Sequence, residues 1–473
     1  MKKLTALLLI AALTFTCAFS LSACKEEEEE DLSTKIEEKV VAYTTDLKDS
    51  ADTLTSTEAV REYLQSWAKA KGISCTVDGS GNVIMTVKSS KAYKEADPTV
   101  LVCSYDGQNF QNAIEPMAMA LYAVKNNEDT GKLTAIFTAE EKHDYSGVQN
   151  LSSKYFPDNA KVFCLNGGSK NMWSVETGGR SSYAFTGKAA YTQVSGDKAF
   201  RIKITGLPGG IPDSRISSYP NPIKELGDLL AYFKTNALIF QLAKVSGGSS
   251  GTLYPKSASA TVVIDEDDVE KFQSRMETAI ETFYDHYDDF MEEYPDVSYT
   301  YEEVDLPEQV LTQDSLNSFI SELYTLIDGV YYKDEDENLI SITSIGSVRC
   351  KNGRFTISAI ANSLTTSNLK DIDQDYETIC GLSGFKYKKT GEQEPFAGSA
   401  ESEFIQAVMT AFDQYADADM ELKTCVAATN ASYIHALNPK VDIVNVSVND
   451  ARVERYTGTL ITYLMNQEHE EEE

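Results

Sequence analysis

Residues 100–109 read VLVCSYDGQN and decide the class of fold. The first four residues form an uninterrupted apolar run, which is typical of a strand buried on both faces. Ser104, Tyr105 and Asp106 follow where such a strand should end. Parallel α/β sheets place their ligand-binding groups at the carboxyl ends of their strands. The stretch therefore predicts a buried strand that presents Ser104 and Asp106 at a binding edge.

The neighbouring segments alternate between helices and strands. Thr55 and Glu58 predict a capping box at the start of a helix that Gly72 ends. The apolar pattern predicts a helix over 116–124 and strands over 81–87, 99–103, 133–138 and 161–165. Strands separated by helices indicate an α/β fold, with a largely parallel sheet flanked by helices.

Three further polar residues follow predicted strands. Glu140 and Glu141 come after 133–138, and Asn166 comes after 161–165. Because the carboxyl ends of parallel strands lie along one edge of a sheet, we expect these side chains and Asp106 to share one crevice.

The pattern changes from about residue 195. An alternating strand with Phe200, Ile202 and Ile204 leads to a helix over 223–233, a strand over 259–264 and an apolar stripe on one long helix over 269–290. This order predicts an inserted α+β domain. The chain then returns to the first domain near Glu394, with a helix over 401–412, a strand over 441–446 and a helix over 455–465. The predicted organisation is a signal peptide (1–23), an acidic linker (24–35), a first α/β part (36–190), an inserted lid (191–393), a second α/β part (394–467) and an acidic tail (468–473).

The N-terminus has the pattern of an export signal. Lys2 and Lys3 precede an apolar stretch over 4–19, and LSAC follows at 21–24. This last motif resembles the lipobox of bacterial lipoproteins, which implies that Cys24 becomes acylated and anchors an extracytoplasmic protein to the membrane at the cell surface. The alternative is an ordinary signal peptide with a chance cysteine.

Charge and cysteine spacing exclude several classes of protein. The formal net charge of −31 argues against binding to nucleic acid, whose phosphates would be repelled. Acidic runs such as 26–31 are typical of solvated tails. The cysteines beyond Cys24 form no CxxC pair, and their apolar surroundings favour buried free thiols. They are Cys75, Cys103, Cys164, Cys350, Cys380 and Cys425.

Four stretches carry a resemblance to one family. They are AMALYAV (118–124), FTAEEKHDYSG (137–147), GLPGGIPDSRISSYPNPIK (206–224) and GGSSGTLYPKSA (247–258). In order and spacing they resemble the signature segments of the zinc-dependent di- and aminopeptidases that include carnosinase, aminoacylase and aminoacyl-histidine dipeptidase, above all the dipeptidase branch. The resemblance implies a zinc-exopeptidase-like fold with an inserted lid domain, through which relatives often form homodimers.

The family's chemistry implies two zinc ions held by histidine and carboxylate ligands, with a glutamate as general base. Its His-x-Asp motif corresponds to Ser104-Tyr105-Asp106, so the orienting aspartate is present and the histidine ligand is absent. Glu140 matches the general base and Glu141 matches a ligand. An alternative is that both glutamates are solvated acids in a surface loop. If they are buried without metal, their repulsion should raise one pKa.

The other positions that the resemblance implies are also altered. The bridging aspartate falls on Asn112 and a further carboxylate ligand on Asn166, and neutral amides cannot replace bridging carboxylates. The last histidine ligand should lie within 448–456, which contains no histidine. In the lid, the substrate-contacting histidine falls on Ile211 and an asparagine falls on Thr252.

The histidine count leads to the same result. None of the four histidines falls on a ligand position of the family; they are His143, His286, His435 and His469. Zinc needs three or four good donors per ion, so no cofactor is expected. The remaining oxygen donors could hold a harder cation such as calcium, with Cys164 as a conceivable soft ligand.

Three hypotheses follow from the sequence. The first is an exported, lipid-anchored, inactive relative that binds a peptide, an amino-acid derivative or a protein partner in its interdomain cleft. The second is an active metal-dependent dipeptidase or aminopeptidase with rearranged ligands, which would require zinc. The third is a purely structural module of the cell surface.

Overall fold

One long strand joins the two large sheets of the described residues, and β7 (Tyr191–Gln193) pairs separately with β12 (Gln309–Leu311). The computed structural model describes residues 32–126, 130–140, 144–168 and 170–469. Strand β6 (Met172–Lys188) pairs through its first half with one sheet and through its second half with the other. Gly178 and Gly179 lie at the passage, where an added Cβ would stand 1.9 Å from the carbonyl oxygen of Val426 and 2.5 Å from that of Gln393. Glycine therefore allows strands of both sheets to approach β6 at this point.

The elements are numbered in chain order. The strands are β1 (Ser74–Val77), β2 (Val83–Val87), β3 (Thr99–Tyr105), β4 (Leu133–Ala139), β5 (Lys161–Gly167), β6 (Met172–Lys188), β7 (Tyr191–Gln193), β8 (Lys198–Thr205), β9 (Gln241–Gly247), β10 (Ala258–Ile264), β11 (Ser298–Val304), β12 (Gln309–Leu311), β13 (Gly329–Lys333), β14 (Leu339–Lys351), β15 (Arg354–Ser363), β16 (Lys386–Gln393), β17 (Phe396–Ala397), β18 (Leu422–Ala428) and β19 (Asp442–Val448). The α-helices are α1 (Leu32–Ser50), α2 (Thr57–Lys71), α3 (Ile114–Asn126), α4 (Ser146–Gln149), α5 (Pro222–Thr235), α6 (Val269–His286), α7 (Asp288–Glu293), α8 (Gln313–Thr325), α9 (Thr366–Ser383), α10 (Glu403–Ala416), α11 (Asn430–Leu437) and α12 (Val453–Met465). Short 3-10 helices cover Gly107–Ala113, Ser153–Tyr155, Ser214–Ser217 and Glu266–Asp268.

The first sheet has the order β1-β2-β4-β3-β5-β19-β6. Strand β18 pairs with the far side of β6, and β17 pairs with β6 on the same side as β19. Strands β4, β3, β5 and β19 run parallel, as the sequence predicts. Alternate residues of β3 enter two different cores. Leu101 and Cys103 pack beneath α1, α3, α10 and α12, whereas Val100 and Val102 pack beneath α4 and α11. Burial on both faces explains the uninterrupted apolar run at this strand.

The second sheet is antiparallel and has the order β16-β6-β15-β14-β9-β10-β8-β11, with β13 added beside the first half of β14. Its core includes Phe233, Phe272 and Phe319, contributed by α5, α6 and α8. Strand β16 is the last of this sheet, and the chain rejoins the first sheet at β17. The loops of this second unit, the lid, therefore stand over the carboxyl edge of the parallel strands.

Two local predictions are wrong. Ser56 rather than Thr55 caps α2, because its hydroxyl accepts the backbone N–H of Ala59 at 3.1 Å. Glu58 consequently falls too early for a capping box and accepts a hydrogen bond from Arg61 instead. The long lid helix ends at His286 and restarts at Asp288, since Tyr287 has φ −116° and ψ 32° and directs its hydroxyl 2.8 Å from Glu225.

The structure describes six of the cysteines but not the predicted export signal. Within the described ranges the six remaining cysteines are free, and Cys103, Cys164 and Cys380 are fully buried. In the same ranges no helix is both long and apolar enough to cross a bilayer. The predicted signal and the lipidation position Cys24 lie outside the described residues.

Candidate functional site

A cleft of about 690 Å³ separates the carboxyl edge of the first sheet from the lid. Its floor comes from the 3-10 helix Gly107–Ala113, the end of β5 and the end of β18, and its wall comes from lid residues 208–215 with Lys256 and Asn338. A second, smaller cavity of about 30 Å³ lies against Ser104, Asp106, Asn112, Glu140 and Asn166. The structure thus brings together these five predicted positions.

Glu140 is the most deeply buried acid of the site, with 1% of its surface exposed. Its backbone N–H donates to the carbonyl of Tyr105 at 2.9 Å, which ties the end of β4 to the end of β3. Its Oε2 accepts the backbone N–H of Tyr145 at 2.7 Å. Its Oε1 lies 3.3 Å from Ser104 Oγ and 3.4 Å from Thr138 Oγ1. Glu140 is therefore no solvated surface acid, and protein groups already contact both carboxyl oxygens.

The pKa of Glu140 is raised to about 8, and burial is the main cause. The Asp144 carboxylate raises the pKa further, while the Tyr145 N–H, the Ser104 hydroxyl and the Arg180 guanidinium oppose this shift. Desolvation outweighs the repulsion from Asp144, and the predicted repulsion between Glu140 and Glu141 stays a prediction. Glu141, the other partner in the predicted repulsion, lies outside the described residues.

Ser104 connects Glu140 to a residue that the sequence did not reveal. Its Oγ lies 3.0 Å from Thr138 Oγ1 and accepts a hydrogen bond of 2.9 Å from Asn430 Nδ2. Asn430 begins α11, directly after β18 and the N-cap residue Thr429, and it is fully buried. Its position after a strand is the signal that could have identified it. The segment 448–456 lines neither cavity.

Asp106 and Asn112 stand at the two ends of one tight turn. Asp106 is 3% exposed and lines the small cavity. Gly107 follows, where an added Cβ would lie 2.2 Å from the backbone of Ser56, so the start of α2 closes over this turn. Asn112 reaches the end of β5: a Cβ on Gly167 would stand 1.7 Å from the Asn112 carbonyl oxygen. Two glycines thus let the turn pack directly against its neighbours.

Asn166 is the last but one residue of β5, and its amide is already hydrogen-bonded within the protein. Its Nδ2 donates to Asn445 Oδ1 at 2.8 Å and to the Cys164 carbonyl at 3.0 Å. A side chain that donates in this way does not act as a carboxylate ligand. Cys164 itself is fully buried in the core, and burial raises the pKa of its thiol strongly.

The two predicted lid positions differ. Ile211 lines both the cleft and the small cavity, so it stands over the floor. Thr252 lines neither cavity, and its hydroxyl lies 2.8 Å from Ser250 Oγ. The structure therefore joins Ile211, but not Thr252, to the predicted site.

The histidines within the described ranges lie away from the floor. His286 ends α6 beside Tyr287, His435 has its ring 5.3 Å from that of Phe396, and His469 stacks on Tyr93 at 5.0 Å. None of the three lines either cavity. His143 lies outside the described residues.

A pair of zinc ions does not fit the part of the floor that the structure describes. Among these residues no group of three or more histidine, cysteine, aspartate or glutamate side chains is placed to hold an ion. The small cavity of about 30 Å³ offers room for one or two water molecules. Two-metal hydrolases need space for two ions about 3.5–4 Å apart and the water between them. Hydrogen bonds from Ser104, Thr138 and the backbone of Tyr145 to the Glu140 carboxyl group occupy this region instead.

Tyr145 lies between the small cavity and the cleft and lines both. Its hydroxyl donates to the carbonyl of Ala428, and its ring stacks on Tyr433 with 4.8 Å between ring centres. The guanidinium of Arg180 lies 5.3 Å from the Tyr145 ring centre. The backbone of Tyr145 has φ 59°, a left-handed conformation that directs its N–H at Glu140. Nothing in the sequence pattern marks this residue, because the conformation depends on contacts between distant segments.

Comparison with known proteins places this geometry in context. No family model matches the chain. The chain is similar to the cytosol non-specific dipeptidase of Escherichia coli (strain K12), with 21% identity over 428 residues that cover 82% of this chain and 87% of that protein. The structure is similar to aminoacylhistidine dipeptidase from Vibrio alginolyticus, with a TM-score of 0.60, 16% identity, and coverage of 90% of this chain and 97% of that one. The α/β fold with an inserted lid, expected from the sequence, is confirmed.

Proposed function

We propose that this chain, a relative of the dipeptidases by sequence and by fold, binds a small ligand in its cleft and does not hydrolyse peptides. The hydrogen-bond network around Glu140 carries this proposal. A general base must reach the water that it activates. Here Ser104, Thr138 and the backbone of Tyr145 contact the carboxyl oxygens of Glu140 directly.

The cleft supports the binding half of the proposal. Its volume of about 690 Å³ lies within the range of sites that enclose small molecules, about 300–1,000 Å³. Its lining mixes apolar groups such as Phe110, Met172 and Ile211 with amides and backbone groups. We infer a peptide or an amino-acid derivative as the ligand class, because the related proteins with this fold act on dipeptides by name.

Activity and metal content test the proposal together. The purified protein is assayed against a panel of dipeptides and N-acyl amino acids, with and without a chelator, and its metal is measured by mass spectrometry. We expect no chelator-sensitive hydrolysis and no stoichiometric metal, together with ligand-induced thermal stabilisation by at least one member of the panel. Stoichiometric zinc with hydrolysis that the chelator abolishes would establish the active alternative. The absence of stabilisation by any compound would favour the structural module.

We also propose that the mature chain is a lipoprotein held at the bacterial cell surface through Cys24. This proposal rests on the LSAC motif at 21–24 and the apolar stretch before it. Two or more acyl chains give durable anchoring, whereas one chain binds a membrane only weakly. The test is metabolic labelling with a radioactive or clickable fatty acid. Label should enter the native chain and be lost in Cys24→Ala; equal labelling of both would contradict the assignment.

A homodimer through the lid is a further proposal. Strand β13 pairs on one side with β14, and Val330 and Tyr332 on it are 36% and 49% exposed. Exposed apolar side chains beside an open strand edge are suited to pairing with a second copy. Light scattering on the native protein tests this, because a mass corresponding to one chain at all concentrations would contradict it. Tyr332→Glu should shift a dimer towards monomer.

A further inference from the structure

The cleft reverses the charge balance of the chain that builds it. The sequence has 73 acidic and 42 basic residues. Among the described residues that line the cleft, however, there are three cations, Lys170, Arg215 and Lys256, and one carboxylate, Asp213. The cleft therefore carries a positive charge on a strongly negative protein.

Arg215 contributes little to this excess, because Asp213 neutralises it. Its Nε donates to both carboxylate oxygens, at 2.9 and 3.1 Å. The pair is local: Asp213 also caps the 3-10 helix that contains Arg215. The net positive charge of the cleft consequently belongs to the two lysines.

Lys170 and Lys256 line the cleft from different units of the chain. Lys170 precedes β6 in the first unit and donates from Nζ to Ser214 Oγ of the lid at 3.1 Å. Lys256 lies between β9 and β10 of the lid, and its stem packs over Gly209, where an added Cβ would be 2.6 Å from Lys256 Cγ. Neither lysine forms an ion pair with a carboxylate of the described residues. The Lys170 ammonium is thus held by a neutral hydroxyl, and both lysines are available to an anion that enters the cleft.

The floor offers nothing comparable to a cation. Gln111, Asn112 and Asn166 face the cleft with neutral amides. The carboxyl groups of Asp106 and Glu140 line the small cavity behind and not the cleft itself. A ligand with a free amino group would lose its hydration there without gaining an opposite charge.

Local charge outweighs net charge at this range. The Debye length is about 8 Å at physiological ionic strength, so the distant acids of the surface are screened. Groups within the cleft interact over shorter distances and in a less polar medium. An anion that enters the cleft is therefore governed by the two lysines.

We propose that the cleft selects a small ligand with two negative groups and no free amine, such as a dicarboxylate or an N-acylated acidic amino acid or dipeptide, and that Lys170 and Lys256 each bind one of its anionic groups. This assignment rests on the proposed binding function and specifies its ligand class. The free dipeptides of active relatives, which carry an ammonium group and one carboxylate, are the wrong charge type for this cleft.

Three probes of similar size test the assignment by titration calorimetry. N-acetylglutamate has two carboxylates and no free amine. Glutamate has the same two carboxylates and a free amine, and N-acetylglutamine has one carboxylate and no free amine. We expect N-acetylglutamate to bind at least about tenfold more tightly than either of the others. We also expect its affinity to fall as salt rises. Equal affinities for the three probes, or no binding of N-acetylglutamate, would overturn the proposal.

Variants locate the binding groups. Lys170→Gln combined with Lys256→Gln should weaken N-acetylglutamate binding by at least about tenfold. Lys154→Gln, which changes a lysine of the 3-10 helix Ser153–Tyr155 that lines neither cavity, is the matched control and should leave the affinity unchanged. Thermal melting checks that both variants fold. Unchanged binding in the double variant would overturn the proposal.

Hydrolysis and metal content, measured on the same samples, keep the two proposals apart. Chelator-sensitive hydrolysis together with the expected charge selectivity would end the proposed non-catalytic function and leave the ligand class intact. Tight binding of free dipeptides without hydrolysis would contradict the proposed ligand class and leave the proposed non-catalytic function intact.

Discussion

The small cavity and the cleft beside it differ in the charged groups that line them. In the small cavity, Glu140 is 1% exposed and hydrogen-bonded within the protein, and amides stand at Asn112 and Asn166. In the cleft, Lys170 of the first unit and Lys256 of the lid are exposed, and neither forms an ion pair with a described carboxylate. Cations therefore outnumber carboxylates among the described residues of the cleft, whereas the acid Glu140 of the small cavity is buried and hydrogen-bonded. Four predictions test this difference.

The strongest test concerns the contact between the floor turn and β5. Gly167→Ala places a methyl group 1.7 Å from the Asn112 carbonyl oxygen, and backbone cannot move aside as a side chain can. We expect a loss of more than about 3 kcal/mol in the free energy of unfolding, or failure to fold. Gly168→Ala is the matched control, since its methyl would meet nothing closer than 3.7 Å. Chemical denaturation of both variants should separate them, and similar stabilities would show that the turn does not pack as described.

The second test compares how substitutions of Glu140 and of the two cleft lysines change the free energy of unfolding. Glu140→Ala removes the acceptor of the Tyr145 N–H and opens a cavity, which should cost about 2–4 kcal/mol. Lys170→Ala and Lys256→Ala are exposed changes and should each alter stability by less than about 0.5 kcal/mol. Urea denaturation measures all three. If Glu140→Ala were as stable as the two lysine variants, a structural role for Glu140 would be contradicted.

The third test uses pH. The folded-state pKa of Glu140, about 8, lies above its ordinary value of 4.5, so the folded protein holds a proton that the unfolded chain releases between these values. The stability due to this group is therefore present at pH 4.5 and is lost as pH rises towards 8, by up to about 1.4 kcal/mol per pH unit.

Glu140→Gln provides the control for this pH test, because its neutral amide cannot titrate. The difference in stability between the native protein and Glu140→Gln, measured by denaturation from pH 5 to pH 8, should change steadily with pH. A constant difference across this range would contradict a protonated Glu140.

The weakest effects should come from the two lid positions. Ile211 lines the cleft, so Ile211→Ala should reduce N-acetylglutamate affinity a few-fold through lost apolar contact. Thr252 lines neither cavity, so Thr252→Ala should leave affinity unchanged. Calorimetry on both variants tests whether the lid contacts the ligand through Ile211 and not through Thr252. A larger effect at Thr252 would reverse that assignment.

Local patterns allowed the fold to be predicted, but they did not reveal the polar contacts. Strand β3 was visible because both of its faces are apolar, and Gly72 was visible as a helix end because it takes φ 71°. Asn430 and Tyr145 were missed. Each acts through a contact with a segment far away in sequence, Asn430 with Ser104 and Tyr145 with Ala428, and such contacts leave no periodic trace.

The predicted site shows the same division. Ser104, Asn112, Asn166 and Ile211 were placed by resemblance to a family motif, and all four line the small cavity. Thr252 was placed by the same resemblance and does not line the cleft. Lys170 and Lys256 were not predicted, because only the fold brings a loop of the first unit and a loop of the lid to the same cleft.

Zinc titration of metal-free protein by calorimetry tests most directly whether a neutral floor has replaced the metal pair. The native protein, freed of metal by a chelator and dialysed, is titrated with zinc beside Glu140→Gln. We predict no saturable binding with a dissociation constant below about 1 µM, and identical traces for the two proteins. Two zinc ions bound per chain with that affinity or better, and lost in Glu140→Gln, would contradict a metal-free site.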